Sequence, residues 1–433
     1  MKAKLKKLSD QTIVITGASS GIGLVTARQA AKAGAKLVLA ARSEAALRQL
    51  TDELSQQGCE VIYVVADVSK QADVKRIARE AKQKFGSFDT WVNNAGVSMY
   101  GKVVNESIDD MRQLFETNFW GLVYGSLEAV EHLRHRGGAL INVGSVLSDV
   151  TAILQTMYSA SKHAVKGFTD GLRTELEMED APVSVTLIQP AAIDTPYPLN
   201  AKNYLDKVPQ HAPPAYAPET VAEAILGSAT SPQRNILVGG AGKLFKGMEQ
   251  WTPALLDKFM EKAFAPMSKS DKQDHRNRPS GLYEGAGQLQ ERGNYPGRTR
   301  EISTYTKAKL HPAATAAIVA GTGLAVAALV NAFGPDSKDG KNKDGKKKSD
   351  KDASNGTSQR PDQDKQDKKL KSNSDKAANP TAGQGSDNVE DTGKGANGDG
   401  RAPRAGSAEA TPSDVRGPVA DKSKQGKPSG SKS

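Results

Sequence analysis

Residues 12–24 read Thr-Ile-Val-Ile-Thr-Gly-Ala-Ser-Ser-Gly-Ile-Gly-Leu, and the rest of the chain is understood outward from them. The β-branched TIVIT is a short buried strand, and the helix over 24–33 opens directly after the glycines. Gly17, Gly21 and Gly23 permit a tight strand-to-helix turn. They also let backbone amides approach an anion at the helix N-terminus. Such a turn can serve only to reverse the chain, but its place inside a first β-α-β unit is the context a dinucleotide site demands. Ser19, Ser20 and Ile22 complete the turn and join the three glycines as candidate cofactor-binding residues.

The alternation begun there continues to about residue 240. KLVLAA at 36–41, EVIYVV at 60–65, TWVNN at 90–94, GALINVG at 138–144, VSVTLI at 183–188 and NILVGG at 235–240 are further strands. Helical patterns over 44–56, 70–85, 107–116, 119–135, 158–178 and 218–229 separate them, with about the length a right-handed crossover needs. Near-continuous apolar strands joined by helices predict an α/β fold: a doubly wound, parallel, seven-stranded Rossmann sheet with helices on both faces. No internal repeat is detectable.

Composition limits the folded part of the 433 residues. Residues 334–433 contain no Phe, Trp, Tyr, Met or Ile, and only Leu370, Val389, Val415 and Val419 as large aliphatics. They are expected to form a disordered mixed-charge tail, because so little apolar surface cannot offset chain entropy. Half of the net charge of +10 belongs to that tail, so the basicity is diffuse and points to no specific nucleic acid partner. Residues 1–240 form the expected catalytic domain and 241–311 a C-terminal extension. Within the extension, 252–264 is expected to be one amphipathic helix, with Thr252 as N-cap and Pro253 in its first turn. Residues 312–333 are uncharged and Ala-rich. They suit either a membrane-contacting helix or a small-residue helix packed on another subunit. The single cysteine, Cys59, excludes an intrachain disulfide and a Cys-based zinc site, and no metal site is expected. The N-terminus lacks the apolar run of a secretory signal, so a cytoplasmic location is expected, with membrane association through 312–333 as the alternative.

Two further signals carry chemistry. The tip of the second strand offers Ala40, Ala41 and Arg42, where a ribose-binding acid would normally stand. With no carboxylate present and a guanidinium available to pair a 2′-phosphate, NADP(H) is expected over NAD(H). Tyr158 and Lys162 are four residues apart, which places phenol and ammonium on one helix face. An ammonium beside a phenol favours phenolate and moves a group of pKa near 10 toward the working range of a general acid/base.

Taken together, Thr16-Gly-x-x-x-Gly21-x-Gly23, Asp67-Val68, Asn93-Asn94-Ala95-Gly96, Asn118, Ser145 and Tyr158-x-x-x-Lys162 resemble the short-chain dehydrogenase/reductase family. Their order and spacing are family-like, and the resemblance covers about residues 9–240. It implies that Tyr158 is the general acid/base and that Lys162 lowers its pKa while binding the nicotinamide ribose. It further implies that Ser145 bonds the substrate oxygen and that Asn118 holds a relay water. Asp67 and Val68 would contact adenine. Asn94, Ala95 and Gly96 would line the nicotinamide side, with Asn94 and Gly96 also serving the strand-to-loop turn. Pro190, Ile193 and Thr195 would flank the nicotinamide, Thr195 bonding its carboxamide. Two departures stand out: Ala191 replaces the glycine common after the sixth strand, and Ser20 stands where some NADP-preferring members carry a basic residue. The family also implies a homo-oligomer, dimer or tetramer.

Residues 195–216, rich in Pro and aromatics, are the expected pocket cover and suit an apolar carbonyl or alcohol substrate. His211 is expected on an exposed loop there, while Met99, Tyr100, Leu147 and Ile153 are candidate apolar walls. The leading expectation is therefore an NADP(H)-dependent oxidoreductase. The alternative is an NADP(H)-binding scaffold or redox-sensing interaction protein with little catalysis.

Overall fold

All seven expected strands are present in a computed structural model that describes residues 3–274, 279–285, 289–293, 295–310 and 315. In chain order the strands are β1 (Thr12–Thr16), β2 (Lys36–Ala41), β3 (Val61–Val65), β4 (Thr90–Asn93), β5 (Met99–Tyr100), β6 (Gly138–Val143), β7 (Val183–Pro190), β8 (Lys202–Asn203), β9 (Lys207–Pro209), β10 (Asn235–Val238) and β11 (Lys269–Gln273). The helices are α1 (Gly21–Lys32), α2 (Glu44–Gln56), α3 (Gln71–Phe85), α4 (Ile108–Phe115), α5 (Gly121–Leu133), α6 (Thr156–Met178), α7 (Pro218–Thr230), α8 (Gly240–Trp251), α9 (Pro253–Phe259), α10 (Ala265–Met267) and α11 (Thr304–Leu310). The main sheet runs β10-β7-β6-β4-β1-β2-β3 with parallel pairing throughout.

The side-chain period of a strand explains the two-faced core. In β1, Ile13 and Ile15 point to one face, where they meet Leu24 of α1, Leu47 of α2 and Val221 of α7. Val14 points to the other, toward Ile77 of α3, Leu133 of α5 and Leu176 of α6. Strand order reverses between β1 and β4, so the loops at their carboxyl ends part and leave a crevice.

Element boundaries depart from the periodicity in instructive ways. The two helices expected over 107–116 and 119–135 run into one another through a π-turn, Glu116–Trp120, which carries Asn118. Helix α6 starts at Thr156, two residues before the expected 158, so Tyr158 and Lys162 both lie on regular helix. The extension is more ordered than expected, because α8 precedes the predicted helix. Pro253 takes the first turn of α9 as predicted, but Thr252 also ends α8. Its Oγ1 donates back to the Met248 carbonyl (3.3 Å) and makes no N-cap bond. The single helix expected over 252–264 is interrupted by a second π-turn, Met260–Phe264, before α10.

The extension also folds back on the sheet. Strand β11 pairs antiparallel with β9, and Leu310 of α11 packs on Gly227 of α7, where a Cβ would stand 2.9 Å from Leu310 Cδ2. The described residues all belong to one compact unit, Met1–Lys338. The apolar helix expected over 312–333, apart from Thr315, and the disordered tail expected over 334–433 lie outside the described residues. Among the described residues no helix is long and apolar enough to cross a membrane.

A buried polar network ties the strands beneath the crevice to α5 and α6. Asn93 Oδ1 accepts from Trp91 Nε1 (2.7 Å), while Asn93 Nδ2 donates to Asn142 Oδ1 (2.9 Å) and Ser126 Oγ (3.1 Å). Asn142 Nδ2 then reaches Thr169 Oγ1 of α6 (3.0 Å). Gly125 of α5 must lack a side chain here, since a Cβ would sit 2.1 Å from Asn93 Oδ1. The family-like Asn93 is thus a structural residue. Asn93→Ala strands the indole donor of Trp91, and urea unfolding should show a loss of about 2–4 kcal/mol, the scale of an orphaned buried group plus a cavity; an unchanged midpoint would contradict this role.

Candidate active site

The turn after β1 is as tight as its glycines suggest. Gly17 and Gly21 have φ of +68° and +53°, which L side chains rarely adopt. A Cβ on Gly17 would stand 2.8 Å from Ala95 Cα, and one on Gly23 would stand 2.2 Å from the Gly17 carbonyl oxygen. Asn94 locks this approach by donating through Nδ2 to the carbonyls of Thr16 (2.9 Å) and Gly17 (3.2 Å). The Ser20 side chain makes no capping bond, and of the first-turn amides Gly21 N is taken by the Gln290 carbonyl (2.8 Å). That turn is a ready cradle for a pyrophosphate.

A cavity of about 180 Å³ opens beside the turn. Gly17, Ser19, Ser20, Gly21 and Ile22 line it together with Asp67, Val68, Asn94, Ala95 and Gly96. Arg42 closes its far end. Burial lowers the Arg42 guanidinium from its ordinary range, with Asp67 acting in the opposite sense. The Asp67 carboxylate also accepts from Ser69 N (3.0 Å) and Ser69 Oγ (2.8 Å), which shapes the turn before α3.

A second cavity, about 190 Å³, continues from the first. The two share Ile22, Asn94, Gly96, Thr195 and Tyr197. Ser145, Tyr158, Lys162, Pro190 and Ile193 line the second. Ser145 follows β6 and caps a short 3₁₀ turn, Val146–Ser148, accepting from Leu147 N at 3.1 Å. Lys162 Nζ donates to the Val143 carbonyl (2.9 Å) and lies 5.7 Å from the Tyr158 ring centroid. Burial lowers Lys162 to about 8. Burial also raises the Tyr158 phenol, while hydrogen bonds with Tyr197 and Ser145 pull it back toward phenolate. In this geometry burial outweighs those two hydrogen bonds, and Tyr158 stays above its ordinary value.

Of the candidate catalytic and cofactor-binding residues, Gly23 and Asn118 line neither cavity. Gly23 acts through packing on Gly17. Asn118 is buried in its π-turn, accepting from Val97 N (2.8 Å) and donating to Val97 O (3.0 Å) and Ser161 Oγ (3.2 Å). It pins the loop after β4 to α6 and so positions Gly96 near Lys162. Thr195 directs Oγ1 to the Ile193 carbonyl (3.3 Å).

Of the expected apolar walls, Tyr100 and Leu147 line the second cavity, Met99 packs in the core, and Ile153 is exposed. His211 is not on an exposed loop. It lines the cavity and stacks on Tyr197 with ring centroids 6.0 Å apart, and burial lowers it to about 4. Sequence reasoning missed Tyr197 as a partner of Tyr158, although it stands in the segment expected to cover the pocket. It also missed the roof, where Phe245, Phe259, Met260, Phe264 and Met267 come from the extension. The apolar spacing of 252–264 was the available signal. Among the described residues no cluster of His, Cys, Asp and Glu is placed to hold a metal ion.

A family profile described as short chain dehydrogenase matches residues 11–203. "Uncharacterized oxidoreductase YxnA" of Bacillus subtilis (strain 168) is 50% identical over 323 residues, 74% of this chain and 91% of that protein. A match of that length runs past residue 240 into the extension. "11-beta-hydroxysteroid dehydrogenase A" of Arachis hypogaea is 38% identical over 193 residues, 44% of this chain and 54% of that protein. Among solved structures, a short-chain dehydrogenase/reductase from Burkholderia phymatum in complex with NAD superposes with a TM-score of 0.51 at 26% identity, covering 63% of this chain and all of that one. On these matches, and with the glycine turn, Ser145, Tyr158 and Lys162 gathered on one crevice, the chain belongs to the short-chain dehydrogenase/reductase family.

Proposed function

We propose that this protein is an NADP(H)-dependent oxidoreductase acting on an apolar ketone or aldehyde and the corresponding alcohol. The observation that carries the reading is the meeting of Ser145, Tyr158 and Lys162 in one cavity continuous with the glycine turn. The dinucleotide supplies or accepts the hydride at the substrate carbon. As charge grows on the substrate oxygen, Ser145 and Tyr158 donate to it and Tyr158 delivers the proton. Lys162 as ammonium would favour the phenolate left behind and would hold the ribose hydroxyls. Asn94, Ala95, Gly96, Pro190, Ile193 and Thr195 would flank the nicotinamide, and Asp67 and Val68 the adenine.

NADP(H) is favoured by Arg42 at the tip of β2, with Ala40 and Ala41 in place of a carboxylate. An apolar substrate is favoured by the aromatic and methionine roof over Tyr158. The steroid in the name of the Arachis hypogaea relative fits that chemistry.

Purified protein should oxidise NADPH with members of a panel of apolar ketones and aldehydes. Tyr158→Phe should lower kcat by at least about a hundredfold, the scale of a lost general acid, with NADPH affinity retained. Turnover undiminished in that variant would remove Tyr158 from the chemistry, and binding without turnover across the panel would favour the scaffold reading. Arg42→Ala should weaken NADPH far more than NADH in a fluorescence titration; equal losses would contradict the phosphate role.

The pH dependence has a definite sign. Lys162 is charged below about 8 and neutral above it, while Tyr158 keeps its proton past its ordinary range. Since kcat/KM reports the free enzyme, its value for carbonyl reduction should fall above pH 8 as Lys162 loses its proton. A profile flat to about pH 9.5 would contradict this, because nearly all of a group titrating near 8 is neutral there.

A further inference from the structure

The far wall of the dinucleotide crevice is not built by the sheet domain. Arg42 Nη2 donates to the Gly281 carbonyl (2.5 Å) and Nη1 to the Leu282 carbonyl (3.3 Å), both in the C-terminal extension. Gly281 and Gly285 line the same cavity as the glycine turn. Gly285 lies so close to the end of β2 that a Cβ on it would stand 3.0 Å from Ser43 N and 3.1 Å from Arg42 Cβ. Further along, the Gln290 carbonyl accepts from Gly21 N (2.8 Å), so the extension rests on the first amide of α1. Gly293 N donates to Asp194 Oδ1 (3.1 Å), and a Cβ on Gly293 would stand 2.5 Å from the Thr195 carbonyl oxygen. Residues 281–285 and 289–293 therefore touch the adenosine end, the pyrophosphate turn and the nicotinamide loop in succession.

Side chains outside the crevice hold these segments down. Leu282 is fully buried, and Tyr283 OH donates to Asp110 Oδ1 (2.6 Å) on α4. Gly281 N donates to the Asn200 carbonyl (2.6 Å) in the segment after β7. Glu291 pairs with Arg28 of α1 (2.7 Å), which also holds Glu53 of α2.

We infer that the two extension segments complete the dinucleotide site. They hold the Arg42 guanidinium in place by backbone carbonyls and cover the bound cofactor, so that their anchors set how fast it leaves. This inference rests on the oxidoreductase reading above and adds to it a role for residues beyond the catalytic domain. Carbonyls are well matched to Arg42, because a half-buried guanidinium oriented by neutral acceptors keeps its charge available to an anionic phosphate. A wall over the cleft acts mainly on dissociation, as most changes within one interface do.

The test uses the full-length chain and stopped-flow fluorescence of NADPH and NADH. In Tyr283→Phe/Glu291→Ala, which removes two anchors remote from the cofactor, the dissociation rate should rise about five- to tenfold with association within about twofold. Gly285→Ala, whose methyl presses the segment off Ser43, should act in the same direction. As a measurement independent of any variant, NADPH should slow amide hydrogen exchange in 281–285 and 289–293 of the wild-type protein. Unaltered dissociation in folded variants, or exchange in both segments indifferent to NADPH, would overturn the role of the extension alone. Wild-type protein that binds neither dinucleotide would overturn the oxidoreductase reading, and this inference with it.

Discussion

Thr16 and Asn94 hold the carboxyl ends of β1 and β4 together at the point where the sheet reverses its order. Thr16 Oγ1 donates to the Val92 carbonyl (3.2 Å) and accepts from Asn94 N (3.0 Å) and Ala95 N (3.2 Å), so the hydroxyl uses its whole bonding capacity. Asn94 returns bonds to the Thr16 and Gly17 carbonyls. This clamp brings the glycine turn within van der Waals contact of Ala95, and it is geometrically possible only because Gly17 and Gly23 lack side chains. Both cavities are arranged around it. On one side lie the pyrophosphate turn and Arg42, and on the other Gly96 leads to Lys162.

Burial then decides the protonation states on the chemical side. It disfavours charge on both members of the Tyr158–Lys162 pair, raising the phenol and lowering the ammonium. Near neutrality the lysine keeps its proton and the tyrosine keeps its own, the combination that the proposed carbonyl reduction needs before reaction. The hydrogen bonds of Ser145 and Tyr197 with the phenol oppose its burial and ease proton release from Tyr158.

Much of this was legible in the sequence because it rests on local patterns. The β-branched runs gave all seven strands of the sheet, and most of the motif residues border one or other cavity. Other features were hidden for physical reasons. A π-turn at Glu116–Trp120 leaves no hydrophobic period to read, so Asn118 could be named but not placed. His211 sits among Pro and polar residues, and nothing in that local pattern marks its stacking on Tyr197 or its place in the cavity lining. The wall at Arg42 and Gly21 was invisible because it is made of the carbonyls of Gly281, Leu282 and Gln290. Any residue supplies a carbonyl, so no side-chain signature marks it. The helical stretch over 252–264 was readable, but not the cavity beneath it.

The position of the extension also bears on where the catalytic unit ends. A boundary at residue 240 follows the alternation of strands and helices, yet it cuts through one packed cluster. Val146, Leu147 and Tyr158 share that cluster with Leu256, Met260 and Leu282. Removing residues beyond 240 would expose the apolar faces of the cavity to water and strip Arg42 of its Gly281 and Leu282 carbonyl partners. Each lost large side chain would forfeit about 1.5–3 kcal/mol of burial. Roof, far wall and Tyr158 are therefore better regarded as one folding unit extending at least to α11. Leu310 packs there on α7, the same helix that covers β1 from the other face of the sheet. The linings of both cavities then draw on a single excursion of the chain, which connects them through the segment after β7: Tyr197 faces the phenol, and the Asn200 carbonyl receives Gly281 N.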